Sequence, residues 1–444
     1  MNNSARQVVI TGMGIISPLG IGVDEFWDNI VAGNSGIKPI ATPTNIASPQ
    51  HVGGEVTEFT EKNARKMWLK QQRKSVKVMC RDIQMGVASA MIALEHSGVD
   101  LEQVNPQRFG VDFGANLMLS PPDVLSGACE ICVDGDDSSR EFHYHLWGSG
   151  GENSDGQSGM SGMEPLWLLR YLPNMPACHI GIAADARGPN NSITLADASG
   201  NLVIAEARRV IERDWADIMI SGTTGTRLHT VKAIQAVLWD KLADGPGSPE
   251  QWCRPFDKNR RGLVVSEGSC SFILEEQQAA NARGATVYAT ILGSAATCVI
   301  DKQGNGQLRP ALKQAMQAAL RDANLKPADI GHINAHAQGM PIEDAEEAKS
   351  ILDVFGDTNP QIPVTAFKSY FGTSGSGTGP LELAGSILGL QHGIVPKTLN
   401  YEEPDPECPV NVVHGDHLKI ENKIFMKLSV TRAGQAAVLI VQVP

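Results

Sequence analysis

Val8-Val9-Ile10-Thr11-Gly12-Met13-Gly14 is a run of β-branched and apolar residues that closes on glycines. Such a run reads as a strand buried on both faces, ending in a tight turn. A second run of the same form, Ala289-Thr290-Ile291-Leu292-Gly293, lies well into the chain. Helical periodicity follows each. After Pro310, the residues Ala311, Leu312, Ala315, Met316, Ala319 and Leu320 trace one face of a helix. Another helix carries Pro380 near its first turn, Leu381, Ala384, Ile387 and Leu388 on one face, and Gly393 just past its end. Strands alternating with helices predict an α/β protein with largely buried sheets. We divide it into two similar halves, 1–255 and 256–444. The stretch 115–170 is read as an insertion in the first half, and its Gly/Ser-rich part, Trp147 to Gly162, as an exposed loop.

Gly12-Met13-Gly14 does not begin a dinucleotide site. The sixth position of that motif would be Ser17, followed by Pro18, and neither suits close helix–strand packing. The chain has 444 residues and a formal net charge of −12, so no basic footprint for nucleic acid is present. No apolar run reaches the length of a membrane span. Met1 to Arg6 leads straight into the first strand, so no secretory leader is expected and the cytoplasm is the expected location. Eight cysteines in a long acidic chain suggest reduced thiols. Cys129 and Cys132 form a lone C-x-x-C with no second pair, so no metal site and no cofactor are expected.

Val8 to Gly20 (VVITGMGIISPLG) resembles the opening of the β-ketoacyl-acyl-carrier-protein synthases of the fatty-acid elongating type. Further landmarks of that family follow in its order. They are Arg187-Gly188-Pro189, Ser221-Gly222, Arg254-Pro255-Phe256-Asp257, Glu267-Gly268-Ser269, Asn334-Ala335-His336 and Lys368-Ser369. The resemblance covers nearly the whole chain outside 115–170. It implies the thiolase-like fold, a five-layer α/β/α/β/α sandwich of two duplicated βαβαβαββ-like halves, and a dimer.

The chemistry of that family needs a thiolate to hold the growing acyl group and donors to stabilise an enolate, a task two histidines perform. The family's cysteine motif matches Leu195-Ala196-Asp197-Ala198-Ser199-Gly200, which places Asp197 where the thiol belongs. A carboxylate there would have to form a mixed anhydride from a thioester, an uphill exchange. An aspartate is also a favoured N-cap, and Ser199 to Asp214 reads as a helix, so capping competes with a catalytic role. The first histidine survives as His336, either a catalyst or a satisfied core residue. The threonines that grip the pantetheine arm are replaced by Gln338 and Met340. Lys368 matches the buried lysine, and Thr373, five residues on, stands in place of the second histidine. Lys368 and Glu267 are expected to persist as a buried polar framework. Arg432 falls at or near the phenylalanine that gates the acyl pocket, where it could pair with Asp197 and fill the pocket.

Four changes at one site point to a scaffold kept without its condensation chemistry. Chain-length factors, the β subunits of ketosynthases, have this character; the known ones carry glutamine at the cysteine position. The resemblance thus implies a non-condensing subunit paired with a catalytic ketosynthase, meeting acyl carrier protein through that complex and shaping the acyl tunnel. Leu117, Met118, Leu119, Leu166, Leu168, Leu169 and Tyr171 are then either tunnel liners or ordinary core. Two other readings are a malonyl-carrier decarboxylase, disfavoured by the charge of Asp197, and a stand-alone homodimer binding acyl carriers or lipids.

Overall fold

A computed structural model describes residues 6–40, 51–134, 139–148, 151–153 and 155–444. The expectation for the first five residues lies outside these. The first half runs β1 (Val8–Ser17), α1 (Arg81–Ser97), β2 (Phe109–Ala115), α2 (Met175–Ala184), β3 (Asn190–Ile193), α3 (Ser199–Glu212), β4 (Ile218–Thr226) and β5 (Glu267–Glu276). The second runs β6 (Ala289–Cys298), α4 (Leu308–Asp322), β7 (His332–Asn334), α5 (Pro341–Phe355), β8 (Pro363–Thr365), α6 (Thr378–Gln391), β9 (Ile424–Val430) and β10 (Gln435–Gln442). Strand order is β3-β2-β4-β5-β1 in the first half-sheet and β8-β7-β9-β10-β6 in the second, the same order twice. The half-sheets join edge to edge through Val9↔Thr290 and Ile10↔Ala289.

The layers follow from the apolar faces. Helices α1 and α2 cover the outer face of the first half-sheet, and α4 and α5 that of the second. Between them lie α3 and α6, which touch strands of both halves. These are five layers, α/β/α/β/α. The face predicted for α4 is buried as expected. Helix α6 departs from its prediction: every residue from Thr378 to Leu390 is buried, because a central helix has sheet on two sides.

The glycines of the opening runs do not end their strands. Each first strand carries an irregularity in its pairing, between Ile10 and Gly12 and between Ile291 and Gly293, and then continues. A Cβ on Gly12 would lie 2.5 Å from the carbonyl oxygen of Ala93 on α1, and one on Gly293 2.7 Å from that of Ala319 on α4. These glycines let the outer helices rest directly on the strands. The Trp147–Gly162 stretch is also less open than expected. Gly159 is buried against Cys132 and Trp147, and Gly159–Gly162 forms a 3₁₀ turn. Residues 149, 150 and 154 of that stretch lie outside the described ones. No described helix is long and apolar enough to cross a membrane.

Candidate functional site

Asp197 sits in the 3₁₀ turn Ala196–Ala198, between β3 and the first turn of α3. Ala196 has φ +44°, a conformation costly for a residue with a Cβ. The turn is pinned by Ser376 Oγ, which donates to the Ala196 carbonyl at 3.0 Å, and by the Leu195 N–H, which donates to Ser199 Oγ at 2.8 Å. Asp197 is 7% exposed. Its carboxylate does not cap α3. An N-cap needs extended backbone ahead of the helix, and here the preceding residues already form a 3₁₀ turn. Instead Oδ1 accepts from Thr373 Oγ1 at 3.1 Å, and Oδ2 faces Arg227 Nη2 at 3.3 Å.

Arg432 is not the partner of Asp197. It stands in the β9–β10 turn with its side chain 54% exposed, bonded to the Trp239 carbonyl, to Asp240 at 3.1 Å and to Glu343 at 3.3 Å. Its guanidinium is taken by two half-buried acids instead. Arg227, one residue past β4, reaches both Asp197 and Asp240 at 3.3 Å each. The result is an ordered chain of charges, Asp197–Arg227–Asp240–Arg432–Glu343, running from the buried turn to solvent. Arg227, Asp240 and Glu343 were missed in the sequence. The available signal was positional: Arg227 follows a central strand at the end where Asp197 must lie.

The opposite wall comes from the second half. His336 follows β7, and its backbone N–H and that of Ala337 donate to Glu347 at 2.6 and 2.7 Å. Asp344 accepts three further N–H groups of the same turn, from Gln338, Gly339 and Met340. Lys368 Nζ bonds the His336 carbonyl, approaches His336 Nδ1 at 3.3 Å and donates to Glu382 at 2.8 Å. A second buried lysine, Lys427, pairs with the other oxygen of Glu382 at 2.6 Å. Burial first, then the nearby Lys368, Lys427 and Arg227 charges, hold His336 well below its usual pKa, so the ring is neutral. An ammonium only donates, so Nδ1 accepts from Lys368 and Nε2 keeps the ring proton. The Gln338 side-chain nitrogen is placed 3.0 Å from Nε2. Two N–H groups cannot bond each other, so with Nε2 protonated the amide turns its otherwise unpartnered oxygen to the ring. The ring N–H of His336 is thereby bonded within the chain.

Glu267 stays buried but belongs elsewhere: it takes Arg81 at 2.6 Å and the Val56 N–H at 2.9 Å. The expected framework is therefore two separate clusters. Met340 packs into a small apolar cluster with Ile40, Leu228, Ala236, Leu263 and Val265, rather than facing an open pocket. Cys253 is the thiol bonded to a site residue, donating to the Lys368 carbonyl at 3.1 Å. Complete burial raises its pKa and keeps it protonated, so it does not replace the missing nucleophile. Of the proposed liners, Met118 is core, while Leu117, Leu166 and Leu168 are exposed. Leu119 and Tyr171 line a cavity of about 420 Å³. No group of three or more potential metal ligands occurs among the described residues.

Residues 5–280 match the model of the β-ketoacyl synthase N-terminal domain, and residues 288–402 that of the C-terminal domain. The chain belongs to the β-ketoacyl synthase family. It is 29% identical over 441 residues to the 3-oxoacyl-[acyl-carrier-protein] synthase 2 of Staphylococcus aureus (strain COL), covering 98% of each. It is 29% identical over 445 residues to the enzyme of that name from Coxiella burnetii, again covering 98% of each. Among solved structures it is similar to the ishigamide ketosynthase/chain length factor, with TM-score 0.81, 27% identity, and 99% of this chain and 100% of that one covered. It is also similar to a β-ketoacyl synthase from Burkholderia phymatum STM815, with TM-score 0.81, 25% identity and coverage of 99% and 100%. Within this family's fold, the site lacks a thiol at position 197, presents a hydroxyl at 373, and has the His336 donor occupied.

Proposed function

We propose that this chain is a non-condensing, chain-length-factor-like subunit that pairs with an active ketosynthase and helps to shape its acyl tunnel. The observation that carries the reading is the state of Asp197, a buried carboxylate engaged by Thr373 and Arg227 where acyl loading needs a free thiolate. The retained fold supports it, since the scaffold is kept while the nucleophile, one histidine and the pantetheine hydroxyls are not. An open sheet edge also supports the reading. Strand β3 ends the first half-sheet with its outer edge unpaired among the described residues. Ile182 of α2, beside it, is 73% exposed, and Leu166 and Leu168 stand out nearby. An open edge flanked by exposed apolar side chains is what a second subunit covers. Elsewhere, Lys62, Lys66, Lys70, Arg73, Lys74 and Lys77 are all exposed within one short segment of a chain of net charge −12, which suits an acidic carrier protein meeting the complex.

The test is co-expression with ketosynthases that retain the cysteine, followed by native mass spectrometry and an assay of carbon–carbon bond formation. We expect a heterodimer that condenses, and no acyl adduct on this chain alone. A homodimer indifferent to every ketosynthase, or release of labelled carbon dioxide from malonyl carrier by the isolated chain, would sink the proposal.

A further inference from the structure

The cavity of about 420 Å³ lies on the first half, walled by residues from α1, the start of the 115–170 stretch, the 3₁₀ turn Trp167–Tyr171 and the helix Thr230–Trp239. Its acids are Glu55, Glu61, Asp82 and Glu267. Each already has a cation or a donor. Glu61 pairs with Arg65 at 2.7 Å, Glu267 with Arg81, and Glu55 lies in the field of Arg81. Asp82 accepts the Thr226 N–H at 3.0 Å.

The donors are less well used. Lys232 is 8% exposed, and among the described residues its ammonium makes only two long contacts, 3.3 and 3.5 Å, both to Asp82. That leaves N–H groups of a buried cation unspent. His229 caps the helix Thr230–Trp239 by accepting the Val231 N–H on Nδ1 at 3.2 Å, so a neutral ring carries its proton on Nε2. That Nε2 is buried and has no partner among the described residues, and the same holds for Arg170 Nε. The cavity thus has spent acceptors and spare donors, beside the apolar side chains of Met79, Leu119, Pro121 and Leu228.

We infer that this cavity is a binding site for a small carboxylate-ended molecule with a short aliphatic body. The carboxylate would sit between Lys232 Nζ and His229 Nε2–H. A monoanion fits better than a phosphate dianion, because the four acids of the lining outnumber its three cations, Arg81, Arg170 and Lys232. The site is separate from Asp197 and does not depend on the pairing proposed above, so either can fail alone.

The experiment is titration of the purified full chain with hexanoate, with hexan-1-ol and inorganic phosphate as comparisons, read by calorimetry and ligand-observed NMR. Hexanoate should bind at least about tenfold more tightly than either comparison, a charge-assisted margin. Lys232→Met should lower hexanoate affinity by about tenfold or more, and His229→Asn, which keeps the cap but withdraws the ring N–H, by about fivefold. Asp82→Asn should act in the opposite direction. Its amide oxygen can still accept from Thr226, while Lys232 is released, so hexanoate should bind about threefold or more tightly. A purely structural ion pair gives no such gain. Should Lys232→Met fail to fold, Asp82→Asn decides. The inference is overturned by equal binding of hexanoate and hexanol, by tighter binding of phosphate, by an unchanged affinity in Asp82→Asn, or by no hexanoate binding up to about 10 mM, beyond the weak range of specific ligands.

Discussion

The two walls of the site hold their charges in different ways. The wall from the second half is a closed lattice. Lys368, Lys427 and Glu382 are each at most 1% exposed in their side chains, and every one leans on another. The wall from the first half is a line. It starts at buried Asp197, passes through Arg227 and Asp240, and ends at Arg432 in solvent. A lattice cannot lose a member without stranding a buried charge, whereas a line loses less the nearer the cut is to its open end. The lattice holds the interior together, while the line opens to solvent at Arg432.

The largest effect should come from the lattice. Glu382→Gln leaves Lys368 and Lys427 facing each other in the interior, and should cost about 3–5 kcal/mol in urea denaturation. A loss under about 1 kcal/mol would show that water or a shift of one lysine relieves the pair, and the lattice description would fall.

The same wall should reveal itself through pH. Burial, ahead of the field of Asp344, raises the Glu347 carboxyl from 4.5 to about 7, despite the His336 and Ala337 N–H groups that favour its charged form. A folded-state acid pKa above the unfolded one means the native state holds more protons in that window. Its contribution to stability is therefore full below about pH 4.5 and is lost as pH rises towards about 7. His336, held low in the fold, acts oppositely: its contribution is lost as pH falls below its unfolded value of 6.5. The two slopes oppose each other over their shared window. Glu347→Gln should remove one of them and leave stability falling with acidification by up to about 1.4 kcal/mol per pH unit. An unchanged pH profile in that variant would mean Glu347 ionises normally.

Single residues of both walls could be read in the sequence, but not their pairings, and the reason is physical. Asp197, His336, Lys368 and Thr373 were located by matching the motifs of the family that the sequence resembles, and in the structure Thr373 donates to Asp197. The helix faces were legible where one side met solvent, as in α4, and failed for α6, which has none. Pairings between charges are different. The partner of Asp197 lies 30 residues on, past β4, while Arg432 comes from the far end of the chain. Both reach the same acid, Asp240, and only geometry decides which continues inward. Lys427 was hidden for a similar reason. A lysine in a strand of otherwise apolar character looks like an edge residue until a buried carboxylate is placed beside it.

On the line, Arg227→Met is the middle-sized test. Among the described residues it leaves Asp197 with only the Thr373 hydroxyl, at 7% exposure, and should cost about 2 kcal/mol. Asp197→Asn should recover most of that loss when combined with it, since the stranded charge is then gone. If the double variant is as unstable as Arg227→Met alone, the guanidinium acts through packing rather than through the carboxylate.

The smallest effect should come from the outermost link. Arg432 is more than half exposed, and Asp240 keeps Arg227 without it, so Arg432→Ala should change stability by no more than about 0.5 kcal/mol. That difference should shrink further as salt rises from about 0.05 to 0.5 M, while the cost of Arg227→Met should hold, because screening reaches an exposed pair and not a buried one. Equal salt dependence of the two variants would make the line a single surface network. A cost for Arg432→Ala matching that of Arg227→Met would go further. It would mean the charges act as one cooperative unit, with Arg432 coupled to Asp197 through Asp240 and Arg227 instead of through the direct pairing that the sequence suggested.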